Sequence, residues 1–232
     1  MAAKTRDGNA DGVKSFFWVV DLAIHAALWL LLASILAVLA DLAAAHSLWR
    51  DDPLSGMQEL LRYYLNETTD PGLAERAADS AYWCWFGWTG IDASARASEA
   101  GVLTSQALGS FLRPAFSGAT REALVVAMYG VKLFGVRIAM LMMTVPQFVL
   151  AIAVALADGL VARHVRRSQG GHESATRYHH AKHLLTFGVV PLTAIVWLLA
   201  PIRLPILLLF WPVSMMIVVG IWNMAKYFKK YA

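Results

Sequence analysis

The chain of 232 residues holds one cysteine, eight prolines and only 16% charged residues. Each shortage removes a class of protein. A lone cysteine cannot build an internal disulfide framework; Cys84 is expected to be buried or, in an oxidising compartment, to form a rare intermolecular bridge. Soluble domains carry about a quarter charged residues, so the deficit here, beside 58% hydrophobic residues, is unlike one. The same apolar content with a net charge of only +4 is unlike a disordered chain. Sixteen glycines and eight prolines do not make a collagen. No GxxxxGK run followed by Ser or Thr is present, which excludes a P-loop ATPase, and neither a GxSxG elbow nor an HExxH zinc helix occurs.

What the chain does have is apolar residues gathered into blocks. A helix needs ~20 of them to cross ~30 Å of hydrocarbon. Four blocks qualify: residues 16–40, 137–161, 184–200 and 204–224. The third is short and holds Pro191, and the fourth holds Pro212. The last two are joined only by a short stretch around Arg203, which reads as a tight helical hairpin with Arg203 reaching up to headgroups. Ala43-Ala44-Ala45 resembles a signal-peptidase site, but the preceding run is about 25 residues against the usual 7–15, so it reads as a retained span. The expected fold is all-α: a polytopic membrane protein with four transmembrane helices.

Orientation follows from Lys and Arg in short flanks. The tail 1–15, the loop 162–183 and the tail 225–232 are all net basic. Residues 41–136 carry 7 Lys/Arg against 11 Asp/Glu. Four spans place the three basic segments on one side, so both termini are expected in the cytoplasm and residues 41–136 outside.

The external segment shows helical rather than alternating spacing. Met57 to Leu65 is one helical stretch. Asp70-Pro71 has the form of a helix start, running to about Ala81. A weaker helical pattern covers Ala93 to Leu112, and Ala123 to Phe134 leads toward the second span. Between Ala81 and Ala93 lies an aromatic patch of Trp83, Trp85, Phe86 and Trp88. Rings of this kind suit the headgroup layer; the patch reads first as an interfacial anchor or a small domain core, and second as a docking surface for an envelope partner.

Polar groups inside spans are functional suspects. Asp21 and His25 share one face of the first span, and Asp158 lies near the end of the second. All three stop near one leaflet, so packing or interfacial contacts are expected rather than a proton path. Ala23/Ala27, Ala33/Ala37 and Ala151/Ala155 are small-residue pairs that permit close helix approach. Five of the seven histidines fall in the loop 162–183. His179 and His183 are four apart, but no full ligand set accompanies them. No metal, cofactor or catalytic residue is assigned.

The same loop carries a resemblance. Arg166-Arg167, then Gly170-Gly171-His172-Glu173-Ser174, then Tyr178-His179-His180-Ala181-Lys182 resembles the signature of a family of integrating conjugative element membrane proteins. The closing Phe228-Lys229-Lys230-Tyr231 and the layout of one span, a long external segment and three further spans are similar too. The resemblance implies a bacterial inner-membrane protein encoded beside the coupling-protein ATPase of type IV secretion. It implies a non-enzymatic role in conjugative DNA transfer: anchoring or assembling that ATPase, meeting other conjugation proteins and membrane lipid, and touching DNA only indirectly. A ring-shaped partner would impose matching copies as a homo-oligomer. The docking residues implied are Arg166, Arg167, Gly170, Gly171, Glu173, Ser174, Arg177, Tyr178, His179 and Lys182. Two glycines permit a close turn there, ahead of a short helix entering the third span. The alternatives are a small ion or solute transporter or channel, which needs a polar path through the bundle, and a membrane metal hydrolase using the histidine loop.

Overall fold

The computed structural model describes residues 8–87, 119–170 and 175–228. Trp88, Gly171, Glu173, Ser174 and the helix expected over residues 93–112 lie outside them. Among the described residues the fold is helical throughout and contains no strand. Helix α1 runs Gly8–Ser47, α2 Pro53–Glu67, α3 Pro71–Tyr82, and α4 Ala119–Ser168. Then α5 (Ala175–His183) passes through a π-helical stretch, Leu184–Val189, into α6 (Val190–Leu199), and α7 spans Ile206–Tyr227. Four of these helical runs are long and apolar enough to cross a membrane, beginning at Trp18, Glu122, Thr176 and Ile206.

The short helices begin where local chemistry dictates. Asp52 accepts a hydrogen bond from the Ser55 amide and Asp70 one from the Leu73 amide, each at 3.0 Å, with Pro53 and Pro71 in the first turn. A capping carboxylate satisfies one orphan donor, and proline has no amide to leave unpaired. Each helix then buries one face: Met57, Leu60 and Tyr64 on α2, Ala74 and Ala78 on α3. The alanines let α3 lie directly on α4. A Cβ on Gly135 of α4 would stand 2.6 Å from the Ala77 carbonyl oxygen.

Helix α4 organises the molecule. Its 50 residues span ~75 Å at 1.5 Å per residue, far beyond the hydrocarbon thickness. The boundary expected at 136/137 therefore falls inside one continuous helix. Its first part is enclosed by α1, α2, α3 and α6, with Val126, Val131, Leu133, Val136 and Met140 buried. Its later part leaves Met142, Val149, Leu150, Val154 and Val161 exposed. Such apolar surface belongs against lipid or another apolar face. Helix α1 divides the same way. Ala37, Ala44 and Ala45 are buried, whereas every residue from Asp21 to Leu32 is exposed.

The π stretch has a local cause. Pro191 has no N–H, and its ring would press on the carbonyl four residues back. The wider turn just before it relieves that conflict; the Val190 amide reaches the Leu185 carbonyl instead. Of the three alanine pairs, Ala37 and Ala155 are buried with their partners half-buried, but Ala23 and Ala27 face outward. Cys84 is exposed, so the expectation of a buried thiol does not hold.

Candidate functional site

Two polar centres stand at opposite ends of the bundle. At the enclosed end Arg137 is 0% exposed. Its Nη1 donates to the Leu198 carbonyl at 3.0 Å and its Nη2 to the Ala200 carbonyl at 2.6 Å. These are orphan carbonyls at the C-terminus of α6, where the helix dipole also favours a cation. The guanidinium lies 5.0 Å from the Tyr64 ring centre, and Trp197 Nε1 donates to the Arg137 carbonyl at 3.0 Å. Tyr64 in turn donates to the Ile202 carbonyl at 2.9 Å and accepts from the Leu204 amide at 3.2 Å. One knot thus ties α2, α4, α6 and the α6–α7 turn. Asp41 is buried beside it, and its oxygens make no hydrogen bond among the described residues.

Sequence reasoning missed this centre. It made Arg137 the first residue of the second span and Asp41 the first residue of the external segment, and gave neither a role. Arg203, expected to reach headgroups, instead pairs with Glu59 of α2 at 2.7 Å. The available signal was that each apolar block is bounded by a charge which a packed outer segment would cover.

The other end is basic and aromatic. Arg163, Arg166 and Arg167 close α4; Arg177, Tyr178, His179 and Lys182 stand on α5; Trp222, Lys226, Tyr227 and Phe228 end α7. Helices α4 and α7 meet closely because residue 159 is glycine: a Cβ there would lie 2.6 Å from that of Ala225 and 2.9 Å from the Trp222 carbonyl oxygen. Trp222 Nε1 donates to Asp158 Oδ2 at 2.7 Å across the same contact. The guanidinium carbons of Arg166 and Arg177 lie 4.6 Å and 5.1 Å from the Tyr227 ring centre, and Arg177 Nη1 donates to the Tyr227 hydroxyl at 2.5 Å. Arg163 stands over Phe228 at 5.4 Å, and Tyr178 meets Phe228 edge-on at 5.9 Å. Lys226 lies 4.2 Å over the Trp222 ring. Cation–π contacts of this kind hold positive side chains in place without neutralising them.

Most of the expected docking residues are therefore gathered at one end. Gly170 has φ +71°, the left-handed turn that closes α4. Arg167, His179 and Lys182 are exposed, Arg166 and Tyr178 half-buried. Sequence reasoning did not include Trp222, Lys226 or Tyr227 in the docking set, although the alternation of aromatics and lysine at the end of α7 was a visible signal.

The remaining candidates do not join this centre. His25 Nδ1 bonds to the Asp21 carbonyl at 2.8 Å and lies 3.4 Å from Asp21 Oδ1, with both side chains more than half exposed. Among the described residues that pair's polar contacts are only with each other. Of the aromatic patch, Phe86 is buried against Met128 and Val131, Trp85 packs beside them, and Trp83 is exposed. His179 meets Tyr178 edge-on, and His183 stacks on Phe187. Among the described residues no three His, Cys, Asp or Glu side chains come together as a metal site.

Residues 54–229 match the model of a family described as IncC plasmid conjugative DNA transfer protein DtrJ-like. The chain belongs to the DtrJ-like family. The match runs from the first turn of α2 to just past the end of α7, so it contains the Arg137 knot and the basic end but leaves α1, with Asp41, outside. No curated protein and no solved structure matches the chain. Membership of the DtrJ-like family places the protein in conjugative DNA transfer, the setting that the loop resemblance implied.

Proposed function

We propose that this DtrJ-like protein is a non-enzymatic component of a conjugative type IV secretion apparatus in the bacterial inner membrane. It anchors or assembles the coupling-protein ATPase, with both termini and the basic end of the bundle in the cytoplasm. The observation that carries the reading is the basic, aromatic end itself: a ring-braced set of arginines and lysines built at the termini of three helices, in a chain of a conjugative transfer family. Arg and Tyr are favoured at interface centres, and braced side chains lose less entropy on docking than free ones. Exposed Arg167, His179 and Lys182, beside half-buried Tyr178, offer the contact surface. Basic flanks on the cytoplasmic side accord with the charge bias of membrane proteins. The resemblance to integrating conjugative element proteins supports the same assignment. DNA meets the complex through the ATPase, not through this chain.

The test is co-purification of the full chain with the coupling protein in mild detergent. Replacing Tyr178 and Lys182 by alanine is expected to abolish both co-purification and DNA transfer, at normal membrane levels. Undiminished transfer with no co-purification of the wild type would remove the proposal. A reporter fused to the carboxyl end that faces outward would remove the orientation.

A further inference from the structure

A groove of about 510 Å³ runs along the side of the basic end, between α5 with its π extension and α7. Leu184, Met215, Met216 and Val219 form its apolar length. Arg177, His180 and Asn223 stand at its basic end. The gradient is directional: from Met215 to Asn223 is eight residues of α7, ~12 Å along the helix. The apolar part opens onto exposed surface, with Leu184, Met215 and Val219 each more than half exposed. No acid among the described residues lines the groove.

The polar side chains are held ready. Arg177 spends one N–H on the Tyr227 hydroxyl and rests against that ring. This fixes the guanidinium and leaves further donors of its five. His180 Nδ1 donates to the Thr176 carbonyl at 2.8 Å, which orients the ring and leaves Nε2 as an acceptor for a ligand hydroxyl. A cationic head above an apolar slot, on a helical run long enough to cross a membrane, is complementary to an anionic amphiphile of the bilayer. We infer that this groove binds one anionic phospholipid with a hydroxyl-bearing headgroup, its phosphate on Arg177, a headgroup hydroxyl donating to His180 Nε2 and an acyl chain along Leu184, Met216 and Val219. Arg177 belongs to the implied docking set and is shared with the groove; otherwise the two faces differ, for Arg177, His180, Ala181 and Leu184 recur at the three- and four-residue spacing of one side of the helix, whereas Tyr178, His179 and Lys182 lie around the other.

The experiment uses the full chain in vesicles of equal phosphatidylglycerol and phosphatidylcholine, extracted in mild detergent, with retained lipid identified by native mass spectrometry. The wild type is expected to keep phosphatidylglycerol in preference to phosphatidylcholine. One surface cation contributes about fivefold to attraction of an anionic membrane, so the double substitution Arg177→Gln and His180→Gln should lower retention at least roughly fivefold. Because Arg177→Gln also loses the Tyr227 contact, Met216→Trp serves as the second variant: it fills the slot and leaves the head intact, and it should also lower retention. Excess inorganic phosphate should leave retention unchanged; displacement by it would overturn the lipid assignment. Equal retention of the two lipids overturns the proposal, as does full retention in both variants. A photo-crosslink from position 216 to a protein instead of lipid makes the groove a helix-docking site and overturns it as well. The readout needs no coupling protein, so it stands or falls apart from the assembly role.

Discussion

Arg137 and Arg177 are both arginines beside a tyrosine, yet one is sealed and the other presented. Arg137 is roofed by α2 and spends its donors on the carbonyls that end α6. Arg177 lies against Tyr227 and remains exposed at a groove. The difference is what surrounds the charge. Where an outer layer of short helices covers the bundle, the cation becomes a structural fastener. Where three helices simply end, aromatic rings brace the cations and leave them available. The first arrangement gives rigidity; the second gives a surface able to meet an acidic partner.

That comparison can be broken in order of expected effect. Arg137→Met should destabilise the protein by about 3–5 kcal/mol, since it strands two buried carbonyls; unfolding by denaturing detergent, followed by tryptophan fluorescence, measures it. Adding Asp41→Leu should recover part of the loss, because it removes a buried carboxyl that makes no hydrogen bond among the described residues. Gly135→Ala forces a Cβ onto the backbone of α3 and should cost about 1–3 kcal/mol in the same assay. Arg166→Gln at the basic end removes a ring contact and should cost only about 1 kcal/mol; a loss as large as that of Arg137→Met would erase the contrast between the two ends.

The smallest effect concerns Asp52. The hydrogen bond from the Ser55 amide lowers the pKa of this exposed carboxylate below its usual value. A lowered folded pKa means stabilisation that is complete above the unfolded value of about 3.9 and is lost as pH falls through the folded one. Protection of the Ser55 amide against hydrogen exchange should therefore weaken below about pH 4. Asp52→Asn keeps a cap that does not titrate and should flatten the dependence.

Some of this was legible before any coordinates. Asp70-Pro71 announced α3 correctly because capping is a matter of two or three adjacent residues. The apolar blocks announced the four long apolar helices because crossing hydrocarbon needs about 20 consecutive apolar residues. The loop after Gly170 announced a short helix carrying Tyr178, His179 and Lys182. Other features were illegible for a common reason. Nothing local distinguishes Arg137 turned inward from Arg137 reaching to headgroups; the difference is made by Tyr64, 73 residues earlier, and by carbonyls more than 60 residues later. Likewise Phe86 entered a core while Trp83, three residues away, did not.

The amino-acid sequence by itself determined the helical class, the four apolar lengths and the separation of basic from acidic segments, because hydropathy and charge are properties of residues taken in order. Tertiary structure alone decided which charges are sealed and which are offered, and that a lipid-shaped groove opens beside α7. Burial, hydrogen-bond partners and ring contacts arise only when distant segments meet, and no reading along the chain contains those distances.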